Sequence, residues 1–450
     1  MEILWTDALI FLLLSSLFCL VIYMRKQDQM KRPIQKIVQS KVGVAALVIL
    51  LFFIFIGLLD SIHFRPSNTK NTEIISALDY WASNLREHGE KTYSSPFSTH
   101  LYSKEIIVSP DGAVHWDYPR LDHGGRHINL PEHQLLLDIL KKLAIGLLQG
   151  LVICSLLVVG FLIIRYKCTN KQTTLLSLSP GLKIALKVAV VVISVAYFLV
   201  YLSNYYHVFG TDKVGEDVFY QAIKSIRTGL VLGTLTTLIM LPLAIVFGIL
   251  AGFFGGWVDD IIQYVYTTLN AIPSVLLIAA SILMVQVYMA GHEQEFTSII
   301  VRADTRLLFL CLILGVTNWT GLCRLLRAET LKLREMEYVQ AAKALGVKKG
   351  MILFRHILPN VMHIVLISVV LDFSSLVLAE AVLSYINIGV DSTTYSWGNM
   401  INGARLEMAR EPIVWWSLSA AFLFMFTLVL AANLFADTVQ DAFDPRRNIE

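Results

Sequence analysis

The stretch MEYVQAAKALGVKKGMILFRHILPN, from Met336 to Asn360, lies between two hydrophobic segments and is rich in basic residues. We call it the basic loop. Its apolar residues up to Leu345 recur at the spacing of an amphipathic helix, and Gly346 follows where a left-handed residue most easily ends a helix. A second amphipathic run reaches Pro359, whose ring disfavours helix in the residue before it. The pattern predicts a helix, a sharp turn at Gly346 and a second helix that ends at Pro359.

The composition around this loop is that of a membrane protein. Of the 450 residues, 56% are hydrophobic and only 16% are charged, which is too apolar for a soluble protein of this size. A helix that crosses a hydrocarbon core of about 30 Å needs about 20 apolar residues. The sequence therefore predicts an all-α polytopic membrane protein with about nine transmembrane helices, near residues 8–24, 42–59, 143–164, 184–203, 229–252, 261–290, 307–323, 361–385 and 413–436.

The charges that flank these segments predict their orientation, because Lys and Arg are enriched on the cytoplasmic side. Basic residues follow the first segment at residues 25–41, which places Met1 outside and, with nine spans, the C-terminus in the cytoplasm. The same alternation places residues 60–142 outside. It places the basic loop inside, together with the residues just before it. Eight Lys or Arg lie from Arg324 to Arg355.

Residues 60–142 are the one large polar region, and we expect a small extracytoplasmic insertion there. The stretch from Glu105 to Val108 has the pattern of a strand. Seven of the chain's eleven histidines lie in this region, among them His123 and His127, which could share a helix face. Gly124-Gly125 between them argues against a helix, so we interpret these histidines as surface residues and predict no metal site.

The basic loop resembles the EAA loop of the permease subunits of ATP-binding cassette (ABC) importers. Gln340 stands where that family usually has Glu, His356 stands where Ile is frequent, and the run from Arg355 to Asn360 is similar to the version in dipeptide and oligopeptide permeases. The alternative is an ordinary amphipathic helix that lies against the membrane. The resemblance implies that the residues coupling the permease to an ATPase are Gln340, Ala341, Ala342, Gly346, His356, Leu358 and Pro359.

Other elements resemble the same permeases and follow in the same order, which extends the resemblance over residues 209–447. Glu216 departs from the family pattern, in which Arg is usual. The matching elements are Gly210–Asp217, Leu383–Val390, Ser396–Met400 and Asp441–Arg446. The implied organisation is an extra N-terminal helix and basic segment (1–41), the first core helix (42–59), the insertion (60–142), two additional helices (143–205) and the permease domain (206–450), with its EAA-like loop at 324–360.

The resemblance implies a permease of the type I ABC importer class that moves dipeptides or oligopeptides across the cytoplasmic (inner) membrane of a bacterium. Its implied partners are a second, homologous permease subunit, two cytoplasmic ATP-binding subunits, an extracytoplasmic solute-binding protein and the membrane lipid around the permease. The sequence has no nucleotide-binding Gly-rich loop, zinc motif or nucleophile elbow. We therefore expect no enzyme, no catalytic residue and no cofactor, and the net charge of +3 does not indicate nucleic acid binding.

Three residues within the predicted spans are candidates for lining a pore: Pro273, Asp372 and Glu380. Proline frees a backbone carbonyl inside a helix, and a carboxylate among lipid tails costs at least a few kcal/mol, so it should face protein or water. Each residue has a structural alternative, namely a packed kink or a hydrogen-bonded carboxyl group.

Rival functions remain open at this stage. They are a secondary transporter driven by an ion gradient, with Asp372 and Glu380 as ion carriers, an ABC permease for nickel or another small solute, and a membrane sensor in which residues 60–142 bind a ligand.

Overall fold

The computed structural model describes residues 4–13, 15, 28–65, 74–108, 114–128, 135–169, 179–292 and 298–443. Within these residues the regular structure is helical apart from two short hairpins, which confirms the all-α prediction. The helices in chain order are α1 (residues 5–13), α2 (Asp28–Gln39), α3 (Lys41–Asp60), α4 (Ala77–Trp81), α5 (Ser83–Glu87), α6 (Leu135–Thr169), α7 (Pro180–Ser203), α8 (Val218–Phe254), α9 (Gly256–Ala271), α10 (Ser274–Gly291), α11 (Ile299–Arg334), α12 (Glu337–Ala344), α13 (Lys349–Ile352), a π-helical turn (Leu353–Ile357), α14 (Leu358–Tyr385), α15 (Trp397–Glu407) and α16 (Trp416–Phe443).

Among the described residues, seven helical segments are long and apolar enough to cross a membrane. They are α3, α6, α7, α8, α10, α16 and the continuous helical segment that ends with α14. Six of them correspond to one predicted span each, and α10 covers the second part of the span predicted at 261–290. The predicted span at 307–323 lies within α11, which has 36 residues. Most of the span predicted at 8–24 lies outside the described residues, so the count of nine stays a prediction.

The single span predicted at residues 261–290 is wrong. α9 ends at Ala271 and α10 begins at Ser274. Ile272 between them has extended backbone, with φ −88° and ψ 130°, because the ring of Pro273 disfavours helix in the residue before it. Pro273 directly precedes α10, where its missing N–H removes no helical hydrogen bond. The proline therefore starts a new helix instead of bending a continuous one.

The described residues form two compact units. The first comprises Gln35–Thr228 and Tyr395–Leu434, and in it α7 packs against both α3 and α6. The second comprises Gly229–Thr394 with the described parts of Ile3–Ile34 and Phe435–Glu450, and in it α11 packs against α9, α10 and α14.

The polar insertion contains both hairpins. β1 (His63–Phe64) pairs with β2 (Ile75–Ser76), and β3 (Glu105–Val108) pairs antiparallel with β4 (Val114–Asp117). Glu105 lies opposite Asp117 in the second hairpin, so the strand predicted from Glu105 to Val108 is confirmed.

Candidate functional site

The first arm of the basic loop ends as its sequence predicts. Gly346 has φ +73°, a left-handed conformation that a residue with a Cβ adopts only at a cost. Its N–H donates to the carbonyl of Lys343 at 3.0 Å, and the N–H of Val347 donates to the carbonyl of Ala342 at 3.1 Å. This pair of bonds is the Schellman motif, which satisfies carbonyls that the end of α12 would otherwise leave without partners.

The loop has an inner face and an outer face. Val339, Ala342, Ile352 and Ile357 are buried in one apolar cluster with residues of α8, α9 and α11. On the outer face Leu345 is 83% exposed, Phe354 is 74% exposed and Met351 is 54% exposed. Gln340 and Ala341 are also exposed. Of the predicted coupling residues Ala341 and Ala342, the first is therefore exposed and the second is buried against its own unit, and their coupling role stays a prediction.

The prediction that the second helix ends at Pro359 is wrong. α13 runs into the π-helical turn at Leu353–Ile357, and α14 begins immediately at Leu358. Pro359 occupies the first turn of α14, a position where its missing N–H is tolerated and its fixed φ suits a helix. The π turn supplies the change of hydrogen-bond register that lets the helical path continue past the proline.

Gln340 joins the end of α11 to the start of α12. Its Nε2 donates to the carbonyl of Arg334 at 3.0 Å and to the carboxylate of Glu335 at 3.3 Å. A Glu at this position has no donor for the carbonyl and would place a second negative charge beside Glu335. The departure from the family's usual Glu is therefore matched by a local hydrogen-bond pattern that an amide can make.

His356 and two residues that the sequence did not single out connect the two arms of the loop. The Nδ2 of Asn360 donates to the Oη of Tyr338 at 3.1 Å and to the carbonyl of His356 at 2.7 Å. The rings of Tyr338 and His356 lie 6.2 Å apart. Leu358 is half-buried next to them. The sequence offered one sign of this contact: Asn360 directly follows the run Ile357-Leu358-Pro359.

The loop rests on a base that sequence reasoning missed. Asp259 of α9 receives hydrogen bonds from Arg327 of α11, from Nε at 2.5 Å and from Nη2 at 2.7 Å. This is the two-pronged arrangement that guanidinium and carboxylate groups favour, and it keeps the pKa of Asp259 below its usual value. The Nζ of Lys343 lies 5.4 Å from the ring centre of Phe253, and that of Lys349 lies 5.5 Å from the ring centre of Phe254.

A second polar centre lies in the other unit, in and around the matching element Gly210–Asp217. We call it the His207 junction: Glu90, His207 and Asp217. The His207 Nδ1 donates to Asp217 at 2.6 Å and its Nε2 lies 3.3 Å from the Glu90 carboxylate. All three side chains are buried, and Glu90 also accepts hydrogen bonds from the backbone N–H groups of residues 122, 123 and 124.

The His207 junction is ionised. Burial alone lowers the pKa of His207, but the hydrogen bonds to Asp217 and Glu90 outweigh it and raise that pKa to about 9. Burial raises the pKa of Glu90, but the hydrogen bonds from His207 and from the three backbone N–H groups lower that pKa to about 2. The imidazolium therefore lies between two carboxylates at neutral pH, and each of its N–H groups has an acceptor.

Two of the matching elements, Gly210–Asp217 and Ser396–Met400, supply helix caps. Asp217 caps α8, because its Oδ1 accepts the N–H of Phe219 at 2.8 Å. Glu216, where the family usually has Arg, accepts from Gln221 at 3.1 Å and from the Oη of Tyr395 at 3.3 Å. The element at 396–400 caps α15, and residues 444–446 of the last element lie outside the described part of the chain.

The two acidic pore candidates differ in their surroundings. Glu380 is buried and accepts a hydrogen bond from the Oγ of Ser384 at 2.7 Å. Asp372 is half-exposed in the middle of α14, and within the described residues its carboxylate has no hydrogen-bond or ion-pair partner. Pro273 is exposed at the α9–α10 break. The Glu380 carboxyl group thus has a donor in its own chain, whereas among the described residues the Asp372 carboxylate has none.

The insertion histidines that lie in the described part of the chain contact other protein groups. Residues 124–127 form a turn, as the two glycines predict, so His123 and His127 do not share a helix face. The His127 Nε2 lies 2.9 Å from Asp138, and His123 stacks on His88 with the ring centres 4.6 Å apart. Among the described residues, no three His, Cys, Asp or Glu side chains lie close enough together to hold a metal ion.

Known proteins resemble this chain over its second half. The profile of the family described as "Binding-protein-dependent transport system inner membrane component" matches residues 244–449. The oligopeptide transport system permease protein OppC of Bacillus subtilis is 31% identical over 240 residues, which cover 53% of this chain and 72% of that protein.

Two dipeptide permeases agree with this match. The dipeptide transport system permease protein DppC of Lactococcus lactis is 30% identical over 240 residues, 53% of this chain and 64% of that protein. DppC of Bacillus subtilis is 30% identical over 240 residues, 53% of this chain and 69% of that protein. With the basic loop inside the matched region and seven helices able to span a membrane, the chain belongs to the family of binding-protein-dependent transport system inner membrane components.

Proposed function

We propose that this chain is the translocating subunit of an ABC importer for dipeptides or oligopeptides and that separate ATPase subunits drive it. Membership of the transport-permease family and the relatives' names support peptides as the solute over nickel or an ion-coupled substrate. The full complex adds a second permease subunit, two cytoplasmic ATP-binding subunits and an external solute-binding protein. In this orientation Met1 lies outside and the basic loop lies in the cytoplasm.

One observation carries the proposal: the basic loop buries one apolar face in its own chain and leaves a second one open. Leu345, Met351 and Phe354 expose large apolar surfaces among Lys and Arg side chains. Exposed apolar groups clustered on one element mark a surface that another protein covers. The Schellman turn at Gly346 sets the angle between the arms that carry Leu345 and Phe354, so a rigid-body push on this surface reaches α14 directly.

The test changes that outer face without touching the inner one. In Leu345→Asp and Phe354→Asp we expect the permease to reach the membrane at normal abundance, to lose co-purification with its ATPase and to lose peptide uptake. Both side chains are largely exposed, so a carboxylate there costs the fold little and opposes only the partner.

Lys332→Asp is the control, because it places a carboxylate on an exposed side chain in the last turn of α11 and changes none of the apolar residues of the outer face, although it also removes the exposed ion pair with Glu329. We expect it to retain the ATPase. Normal ATPase retention and uptake in both loop variants would show that the loop is a membrane-surface helix, and the proposal would fail.

We further propose that Asp372 lines the solute path and that Glu380 is structural. A carboxylate in the middle of a spanning helix does not face lipid, and Asp372 has no partner among the described residues of its own chain. Water in the solute path, or the charged N-terminus of a peptide, would supply the polar partner that the Asp372 carboxylate needs. Glu380 instead has Ser384 as a donor.

Asp372→Asn should therefore lower peptide uptake while permease abundance and ATPase association stay normal. Leu378→Ala, at an exposed side chain about 120° around α14 from Asp372, should leave uptake unchanged. Normal uptake in Asp372→Asn would remove this residue from the path.

A further inference from the structure

Two neighbouring aromatic side chains on α4 are largely exposed, and the ring of one of them, Tyr80, lies edge-on to that of Phe64 with the ring centres 6.2 Å apart. Tyr80 is 71% exposed and Trp81 is 63% exposed, although both belong to α4, whose Leu78 is buried. Within the described residues neither the phenol of Tyr80 nor the indole N–H of Trp81 has a hydrogen-bond partner. An apolar body with a free polar tip is the kind of side chain that concentrates at membrane–water interfaces.

The height of α4 relative to the membrane is fixed by α3. α3 has 20 residues, about 30 Å of helix at about 1.5 Å per residue, so Asp60 at its end lies at the boundary of the hydrocarbon core. The Oγ of Ser76, the residue that caps α4, donates to Asp60 at 2.6 Å. The N–H of Ala77 donates to the carbonyl of Ile62 at 2.8 Å. α4 therefore starts at the level where α3 leaves the membrane.

A buried ion cluster fixes the other side of α4. The Nζ of Lys224 in α8 donates to Asp60 at 2.8 Å and to Asp79 at 2.7 Å, and the Oη of Tyr220 also donates to Asp79 at 2.7 Å. Lys224 lies five positions before the predicted span that begins at residue 229, so α8 marks the same boundary as α3. Tyr80 and Trp81 follow Asp79 directly, and they cannot move away from this level while the cluster is intact.

We infer that Tyr80 and Trp81 form an aromatic anchor that inserts into the headgroup layer of the lipid bilayer beside α3 and α8. The occupant of this surface is phospholipid, because the two elements that hold α4 are themselves membrane-spanning segments and the lipid surface is continuous with them. The anchor fixes the insertion to the membrane next to the permease, a task separate from coupling to an ATPase.

Spin labels in the full-length permease test the anchor. In a background whose five cysteines are replaced, Trp81→Cys is labelled with a nitroxide and reconstituted into phospholipid nanodiscs. Collision with oxygen, which partitions into lipid, is then compared with collision with a water-soluble nickel chelate. We expect oxygen to dominate at position 81, with a depth near the headgroups, and Tyr80→Cys to give the same result.

Glu87→Cys is the control, since Glu87 is exposed on the next helix, α5, and should favour the nickel chelate. If position 81 shows the same water-exposed signature as position 87, the inference is wrong. It is equally wrong if position 81 is exposed to water in the isolated permease and becomes shielded only when a solute-binding protein is added, because the surface then belongs to a protein partner.

Discussion

The basic loop and the His207 junction are held in opposite ways. The loop is fixed to its unit by apolar side chains on one face, chiefly Val339, Ile352 and Ile357, which have no exposed surface. The junction is fixed by charge, with an imidazolium buried between two carboxylates. Apolar contacts are non-directional, so the loop can shift against its base at modest cost, whereas the junction loses its hydrogen bonds as soon as its geometry changes.

The difference matches the role that we propose for the loop. An element that receives force from a partner needs a free face and tolerance for small displacements, and the loop has both. The junction has no free face. Gly215, with φ +84°, brings its backbone so close to Glu90 that an added Cβ would lie 1.8 Å from that residue's carbonyl oxygen. The N–H of Glu90 donates to the carbonyl of Gly215 at 2.9 Å. The junction therefore joins the insertion rigidly to the segment that leads into α8.

Breaking the junction should have the largest effect. His207→Ala leaves Glu90 and Asp217 buried without their cation, which costs about 3–5 kcal/mol for a buried ion pair that loses one partner. We expect a lower free energy of unfolding, measured as a lower midpoint of thermal unfolding of the purified protein. Lys91→Ala, which removes an exposed pair with Glu105 at 3.5 Å, should cost less than about 1 kcal/mol.

The pH dependence separates lost charge from lost packing. The pKa of His207 is raised from 6.5 to about 9. Its contribution to the free energy of unfolding is therefore complete below pH 6.5 and is lost as the pH rises through 9. The pKa of Glu90 is lowered from 4.5 to about 2, so its contribution is complete above pH 4.5 and is lost as the pH falls through 2. The difference in the midpoint of thermal unfolding between wild type and His207→Ala should therefore be largest from pH 4.5 to 6.5. A difference that does not change with pH would mean that His207 contributes only packing.

The sequence predicted the loop well because the loop's structure is local. The period of the apolar residues places α12, and Gly346 ends it with the expected left-handed turn. One error comes from applying a local rule without its context. Pro359 is a typical helix terminator, but the π turn before it allows the helical path to continue. The burial of Ala342 against its own unit also depends on packing that the local pattern does not contain.

The junction could not be predicted because its members are distant in sequence. Glu90 and His207 are 117 residues apart, and no period or motif relates them. His207 was one of eleven histidines, and Asp217 was one acid in a polar turn. Their roles depend on burial, which brings a cation and two anions together and makes each necessary to the others. The same reason hid Asp259 and Arg327, which lie 68 residues apart at the base of the loop.

The smallest expected effect tests the loop's turn, and two glycines four positions apart make the comparison. An added Cβ would meet no atom within 4 Å at Gly346 or at Gly350, so packing is the same for both. Only the backbone differs, since Gly346 has φ +73° and Gly350 lies within α13.

Gly346→Ala should cost about 1–2 kcal/mol of local stability, whereas Gly350→Ala should gain about 0.5–1 kcal/mol. Hydrogen exchange of the amides from 342 to 352 reports both, with faster exchange expected in the first variant and slower exchange in the second. The ATPase should be retained less well by Gly346→Ala than by Gly350→Ala, because the turn at Gly346 sets the angle between the two helical arms that carry Leu345 and Phe354. If both alanines shift exchange in the same direction, the left-handed turn is not what holds the outer face in shape, and the loop is as tolerant of geometry at its turn as it is along its apolar face.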